Sequence, residues 1–89
     1  MSDRMPKYLL VEESGQSAAQ LFGERLKTRR KALGLSQKQL FEKTSITAAY
    51  ISLIERGRGN PTLDMMVKLA EAVGSEVWDM IRPVDGQPL

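Results

Sequence analysis

From residue 18 onward, apolar residues recur three and four positions apart, and each such stretch is bracketed by residues that start or stop a helix. The first helix is predicted from Ala18 to Leu33. Ser17 serves as its N-cap, Gly34 as its stop, and Phe22, Leu26 and Leu33 lie on one face. The second begins after Ser36. Ser36 and Gln39 have capping-box spacing, and Leu35 and Leu40 bracket the cap as a hydrophobic staple. It ends near Thr44. The third begins after Thr47, where Ile46 and Ile51 repeat the staple spacing. Tyr50, Ile51 and Ile54 share its apolar face, and Gly57 ends it. Only Ser45, Ile46 and Thr47 join the second helix to the third, so these two short helices must cross steeply. Thr62 caps a fourth helix, with Asp64 in its first turn and a stripe of Leu63, Met66, Val67, Ala70 and Val73 up to Gly74. Ser75 is predicted to cap a last helix from Glu76 to Arg82, stopped by Pro83. The chain therefore reads as all-α, a compact five-helix bundle.

The two ends read differently. Residues 1–17 form an N-terminal arm, with Gly15-Gln16-Ser17 as a linker into the first helix. Within the arm, Tyr8 to Val11 suits a short strand pairing with its own copy, a segment packed on the core, or a disordered arm. Residues 83–89, with two prolines and a glycine, read as a C-terminal tail. The folded unit is expected to be 18–82, with no internal repeat or low-complexity segment.

Composition narrows the function. At 89 residues, 42% hydrophobic and 27% charged, the chain suits one small globular domain. One Trp, two Tyr and two Phe leave the core to Leu, Ile, Val, Met and Ala. There is no cysteine and no histidine, which excludes disulfides, thiolate chemistry, the usual zinc sites and a histidine general base. No nucleophile–base constellation, metal spacing or phosphate loop is present, so neither an enzyme nor a cofactor or metal is expected. No small-molecule ligand is evident. The run Tyr8-Leu9-Leu10-Val11 is far too short for a signal-peptide core or a membrane span, and a cytoplasmic protein is expected.

Charge changes the picture more than composition does. The net charge is only +2, but Arg25 to Arg58 holds nine Lys and Arg against two acidic residues. Gly59 to Arg82 holds two against four. A basic central stretch suits a polyanionic partner, although a charge run taken alone is better read as a solvated face and gains weight only once the helices are placed. Two charges fall beside apolar stripes: Arg30 in the first helix and Glu55 in the third. A lone buried charge is costly, so the two are predicted to pair across the helices. Spacing alone leaves open that both reach out to water.

The strings Leu26-Lys-Thr-Arg-Arg-Lys-Ala-Leu-Gly-Leu-Ser-Gln37, Ile46-Thr-Ala-Ala-Tyr-Ile-Ser-Leu-Ile-Glu-Arg-Gly57, Pro61-Thr-Leu63 and Leu69-Ala-Glu-Ala-Val-Gly74 occur in the order of a known family. Over Phe22 to Ile81 the chain resembles the helix-turn-helix family of Cro and the lambda-type (XRE-like) repressors, including restriction–modification controller proteins. The resemblance implies a lambda-repressor-like DNA-binding domain in a sequence-specific, homodimeric transcriptional regulator. Its recognition helix, 47–56, would lie in the major groove of near-palindromic double-stranded DNA.

Residue by residue, the resemblance implies base contacts from Thr47, Ala48, Ala49 and Ser52, with Leu53 at the margin. It implies phosphate contacts from Gln37, Arg56, Arg58 and Asn60, with a base contact as the alternative for Arg58, and Tyr50 either touching the DNA backbone or packing on the second helix. Arg30 and Glu55 fall where the family has a buried ion pair, and Val77, Trp78 and Ile81 where the last helices form a dimer contact, with capping of the chain's own core as the other reading of Val77 and Ile81. Two positions depart from the pattern: Phe41 stands where a small residue faces the third helix, and Ser45 where the turn commonly has glycine. The competing reading is a protein-interaction module on the same fold, such as an antitoxin or a coactivator-like bridging protein.

Overall fold

The computed structural model describes residues 17–83. The readings of Tyr8–Val11 and of the chain beyond Pro83 lie outside the described residues. Five helices follow in order: α1 (Ala18–Ala32), α2 (Gln37–Thr44), α3 (Ala48–Glu55), α4 (Leu63–Ala72) and α5 (Val77–Ile81). Their boundaries follow from local chemistry. Ser17 and Gln20, then Ser36 and Gln39, form complete capping boxes, each side chain bonding the other residue's backbone N–H at 2.8–3.1 Å. The hydroxyls of Thr47 and Thr62 accept from the backbone N–H groups of Tyr50 and Met65.

The core is a single cluster drawn from every helix, with Phe22, Leu26, Leu40, Ile51, Ile54, Leu69, Val73 and Met80 fully enclosed. α1 packs against α3 and α5, α2 against α3 and α4, and α4 against α5. The α1–α3 contact depends on Gly23. A Cβ there would collide with the backbone carbonyl of Ile54, so only glycine allows the two helices this approach.

The turn between α2 and α3 is stitched by the buried Thr44. Its hydroxyl donates to the Leu40 carbonyl at 2.8 Å and accepts from the Ile46 N–H at 3.2 Å. Ser45 takes the left-handed conformation at φ 64°, as the resemblance requires of a residue standing in for glycine.

Several expectations are corrected. Leu33 is not on the buried face of α1 but is its C-cap, 56% exposed. Leu63 and Val67 are also exposed, because the buried face of α4 centres on Leu69, Ala70 and Val73, flanked by Met65 and Met66. Ser75 does not cap α5. Glu76 occupies that position without a side-chain cap, and the Ser75 hydroxyl lies 3.5 Å from the Glu76 carbonyl. Phe41, the bulky residue at a position where the family has a small one, is 41% exposed and is accommodated at the surface.

Candidate nucleic-acid interface

α3 has two distinct halves. Ile51, Ile54 and Glu55 point inward and are buried. Thr47, Ala49 and Arg56 are exposed, and Ala48, Ser52 and Leu53 are half-buried. The four residues expected to read bases thus run from the N-cap to the middle of one short helix, none of them enclosed in the core. Three are no larger than serine. Arg56 follows them, its Nε donating to the Ser52 carbonyl at 3.3 Å, which lays the guanidinium back along the helix.

The helix is held from behind by charge. Arg30 and Glu55 meet in a two-pronged contact, Nε to Oε2 at 2.7 Å and Nη2 to Oε1 at 2.9 Å. Their side chains are only 9% and 2% exposed. Arg30 Nη1 also donates to the Leu35 carbonyl at 2.8 Å, in the turn that leads into α2. Hydrogen bonding to Glu55 holds the Arg30 guanidinium further towards its charged form, against the opposing effect of burial. No buried side-chain nitrogen or oxygen lacks a partner among the described residues, so this buried charge is fully satisfied.

Gln37 joins the same group. Its Nε2 donates to Glu55 Oε1 at 3.0 Å, fixing the amide at the first turn of α2. A primary amide has two N–H donors, so one remains for another acceptor. The backbone N–H groups of the first turn of α2 make the same end a favourable place for an anion. Sequence reasoning placed Gln37 at this end but missed its bond to Glu55, because no spacing rule relates residues 18 apart on two crossing helices.

Arg58 and Asn60 are exposed on the loop that leaves α3. The Tyr50 ring packs half-buried against the core, and its hydroxyl accepts from the Asn60 backbone N–H at 3.0 Å. The residues expected at a dimer contact lie elsewhere, on α5. Trp78 is 61% exposed, whereas Val77 and Ile81 pack half-buried against the chain's own core. α5 itself is anchored by Arg25 of α1, whose Nη1 donates to the carbonyls of Asp79 and Arg82 at 3.0 and 2.7 Å. That role of Arg25 had no sequence signal, since its partners are main-chain atoms more than fifty residues away. No group of three or more Asp or Glu among the described residues could hold a metal ion, and no helix there is long and apolar enough to cross a membrane.

Against this geometry the similarities to known proteins are consistent. The sequence signature of a helix-turn-helix family matches residues 26–77, which contain α2, α3, α4 and most of the Arg30–Glu55 surroundings. The HTH-type transcriptional regulator y4dJ of Sinorhizobium fredii is 32% identical over 68 residues, covering 76% of this chain and 88% of that protein. The immunity repressor protein of Bacillus phage phi105 is 42% identical over 55 residues, and the HTH-type transcriptional regulator DdrOP3 of Deinococcus deserti is 37% identical over 62. These matches cover 62% and 70% of this chain, but only 38% and 48% of those two relatives. Among solved structures, the clp gene regulator ClgR from Corynebacterium glutamicum superposes with a TM-score of 0.69 at 25% identity, over 73% of this chain and 69% of that one.

Proposed function

The chain belongs to the helix-turn-helix family of transcriptional regulators, and from that premise we propose that it binds double-stranded DNA sequence-specifically as a homodimer, with α3 in the major groove. The observation that carries this reading is the outward half of α3. It is accessible, lined by small side chains and flanked by Arg56, Arg58 and Asn60, while the inward half is fixed by the buried Arg30–Glu55 pair.

Small side chains let the helix approach base edges closely. The methyl groups of Ala48 and Ala49 suit thymine methyls, and the hydroxyls of Thr47 and Ser52 can each make one polar contact. No side chain on this face offers a bidentate match to guanine or adenine, so much of the discrimination falls to DNA shape and half-site spacing. Gln37 and the first turn of α2 meet one phosphate, and Arg56, Arg58 and Asn60 meet others. In a two-fold dimer the two copies of α3 would stand about 34 Å apart, one helical turn of DNA. The exposed Trp78 is the natural centre of the dimer contact, since aromatic side chains are favoured in such patches. A DNA partner fits the expected cytoplasmic location.

The Ala49 position tests the reading. Replacing Ala49 with Gln should change which base is preferred under it while leaving binding to mixed-sequence duplex nearly unaltered, as read from a panel of single-base operator variants. Equal loss on every sequence would contradict a base-reading role.

The scarcity of hydrogen-bonding groups on α3 and the exposure of Trp78 also suit a protein-interaction module. The two readings part on salt: phosphate contacts make binding to DNA fall steeply as ionic strength rises, and a module that does not touch DNA has no such affinity to lose.

A further inference from the structure

Four successive backbone N–H groups after α3 all turn back onto α3. Gly57 donates to the Ile54 carbonyl at 2.9 Å, and Arg58 and Gly59 both donate to the Leu53 carbonyl, at 2.9 and 3.2 Å. The fourth, Asn60, donates at 3.0 Å to the hydroxyl of Tyr50, three residues before Leu53 in α3. The loop therefore folds back against the helix it has just left. It lies close against it: a Cβ on Gly59 would sit 2.8 Å from Ile54 Cγ1 and 3.2 Å from the Ile54 nitrogen. Pro61 comes next and restricts Asn60 to an extended backbone. Carried on this strap, the Arg58 and Asn60 side chains are exposed.

The first three bonds end on main-chain carbonyls and need no particular side chain on α3 as acceptor. The last ends on a side chain, so the hydrogen bond at the far end of the strap depends on Tyr50. We propose that Tyr50 is a positioning residue for DNA binding: its hydroxyl pins the 57–61 loop to α3 and so fixes Arg58 and Asn60 relative to the base-reading face. The inference rests on the DNA-binding reading above. It departs from the expectation that Tyr50 itself touches the DNA backbone. A loop already ordered in the free protein loses little conformational freedom when its arginine meets a phosphate, and this preorganisation is what the hydroxyl contributes.

The test uses Tyr50→Phe, which keeps the ring in its half-buried place and removes only the acceptor. The full chain is titrated with an operator duplex and a scrambled duplex, alongside an Arg58→Ala/Asn60→Ala variant and the triple variant. Loss of one hydrogen bond predicts roughly three- to tenfold weaker binding for Tyr50→Phe, on both duplexes. In the Arg58→Ala/Asn60→Ala background the same change should cost nothing further, because the groups it positions are gone. Amide exchange in the free protein should quicken at Asn60 and stay unchanged at Gly57. Three results overturn the proposal: unchanged affinity, unchanged exchange at Asn60, or an equal further loss in the Arg58→Ala/Asn60→Ala background, which would make Tyr50 a direct DNA contact. If the unaltered protein binds no duplex, this proposal and the DNA-binding reading fall together. If it binds and Tyr50→Phe matches it, only this proposal falls.

Discussion

Glu55 is where the most structure depends on one side chain. Its carboxylate accepts from Arg30 twice and from Gln37 once, so it ties α3 to α1 and to the first turn of α2. Replacing it with alanine leaves the Arg30 guanidinium in a nearly closed site with only the Leu35 carbonyl as partner. That change is expected to cost about 3–5 kcal/mol, read from urea or thermal unfolding of the variant beside the parent chain. A loss that large is a substantial share of the roughly 5–15 kcal/mol typical of a folded domain. A loss below about 1 kcal/mol would mean that the pair is open to water and does not hold the helices together. Arg30 and Glu55 were legible because each sits beside an apolar stripe, where a charge needs a reason to be. Their further partners were not. The bonds from Arg30 to the Leu35 carbonyl and from Gln37 to Glu55 depend on the angles at which three helices meet, and the sequence carries no local mark of those angles.

Helix ends were legible because each boundary is a matter of neighbouring residues. Ser17, Ser36, Thr47 and Thr62 all cap as their spacing predicts. α5 departs because the helix starts one residue later than expected, leaving Ser75 outside it and Glu76, with no cap bond, at the boundary. Faces were less legible than ends. Leu33, Leu63 and Val67 continue apolar stripes at correct helical spacing yet remain exposed, because a bundle this small covers only part of each stripe. Which edge is covered depends on where the neighbouring helix crosses. The α1–α3 crossing shows the same point from the opposite side, since Gly23, whose residue type disfavours a helix interior, is in three dimensions the contact that sets the spacing of that pair. Gly23→Ala would normally favour a helix. Here it should force α1 away from the Ile54 carbonyl and lower stability by about 1–3 kcal/mol, with the midpoint of thermal unfolding as the readout. A stabilised variant would contradict the described approach of the two helices.

At the scale of the molecule, basic and acidic residues are separated along the chain. The basic excess lies between Arg25 and Arg58, spanning α1 to the loop after α3, where Leu33 and Phe41 are the exposed large apolar residues, and the acidic balance lies in the α4–α5 part that carries the exposed Leu63, Val67 and Trp78. An arrangement of this kind suits a polyanion on one part of the surface and a second protein copy on another. The most direct test is a titration of the purified chain against duplex DNA, using the region upstream of its own gene and a scrambled duplex at two salt concentrations, with the stoichiometry of the complex recorded. The account predicts two chains per duplex, preference for the upstream region, and affinity that falls steeply as salt is raised. Absence of binding to either duplex at low salt would contradict it and leave the protein-interaction module as the better reading of the same fold.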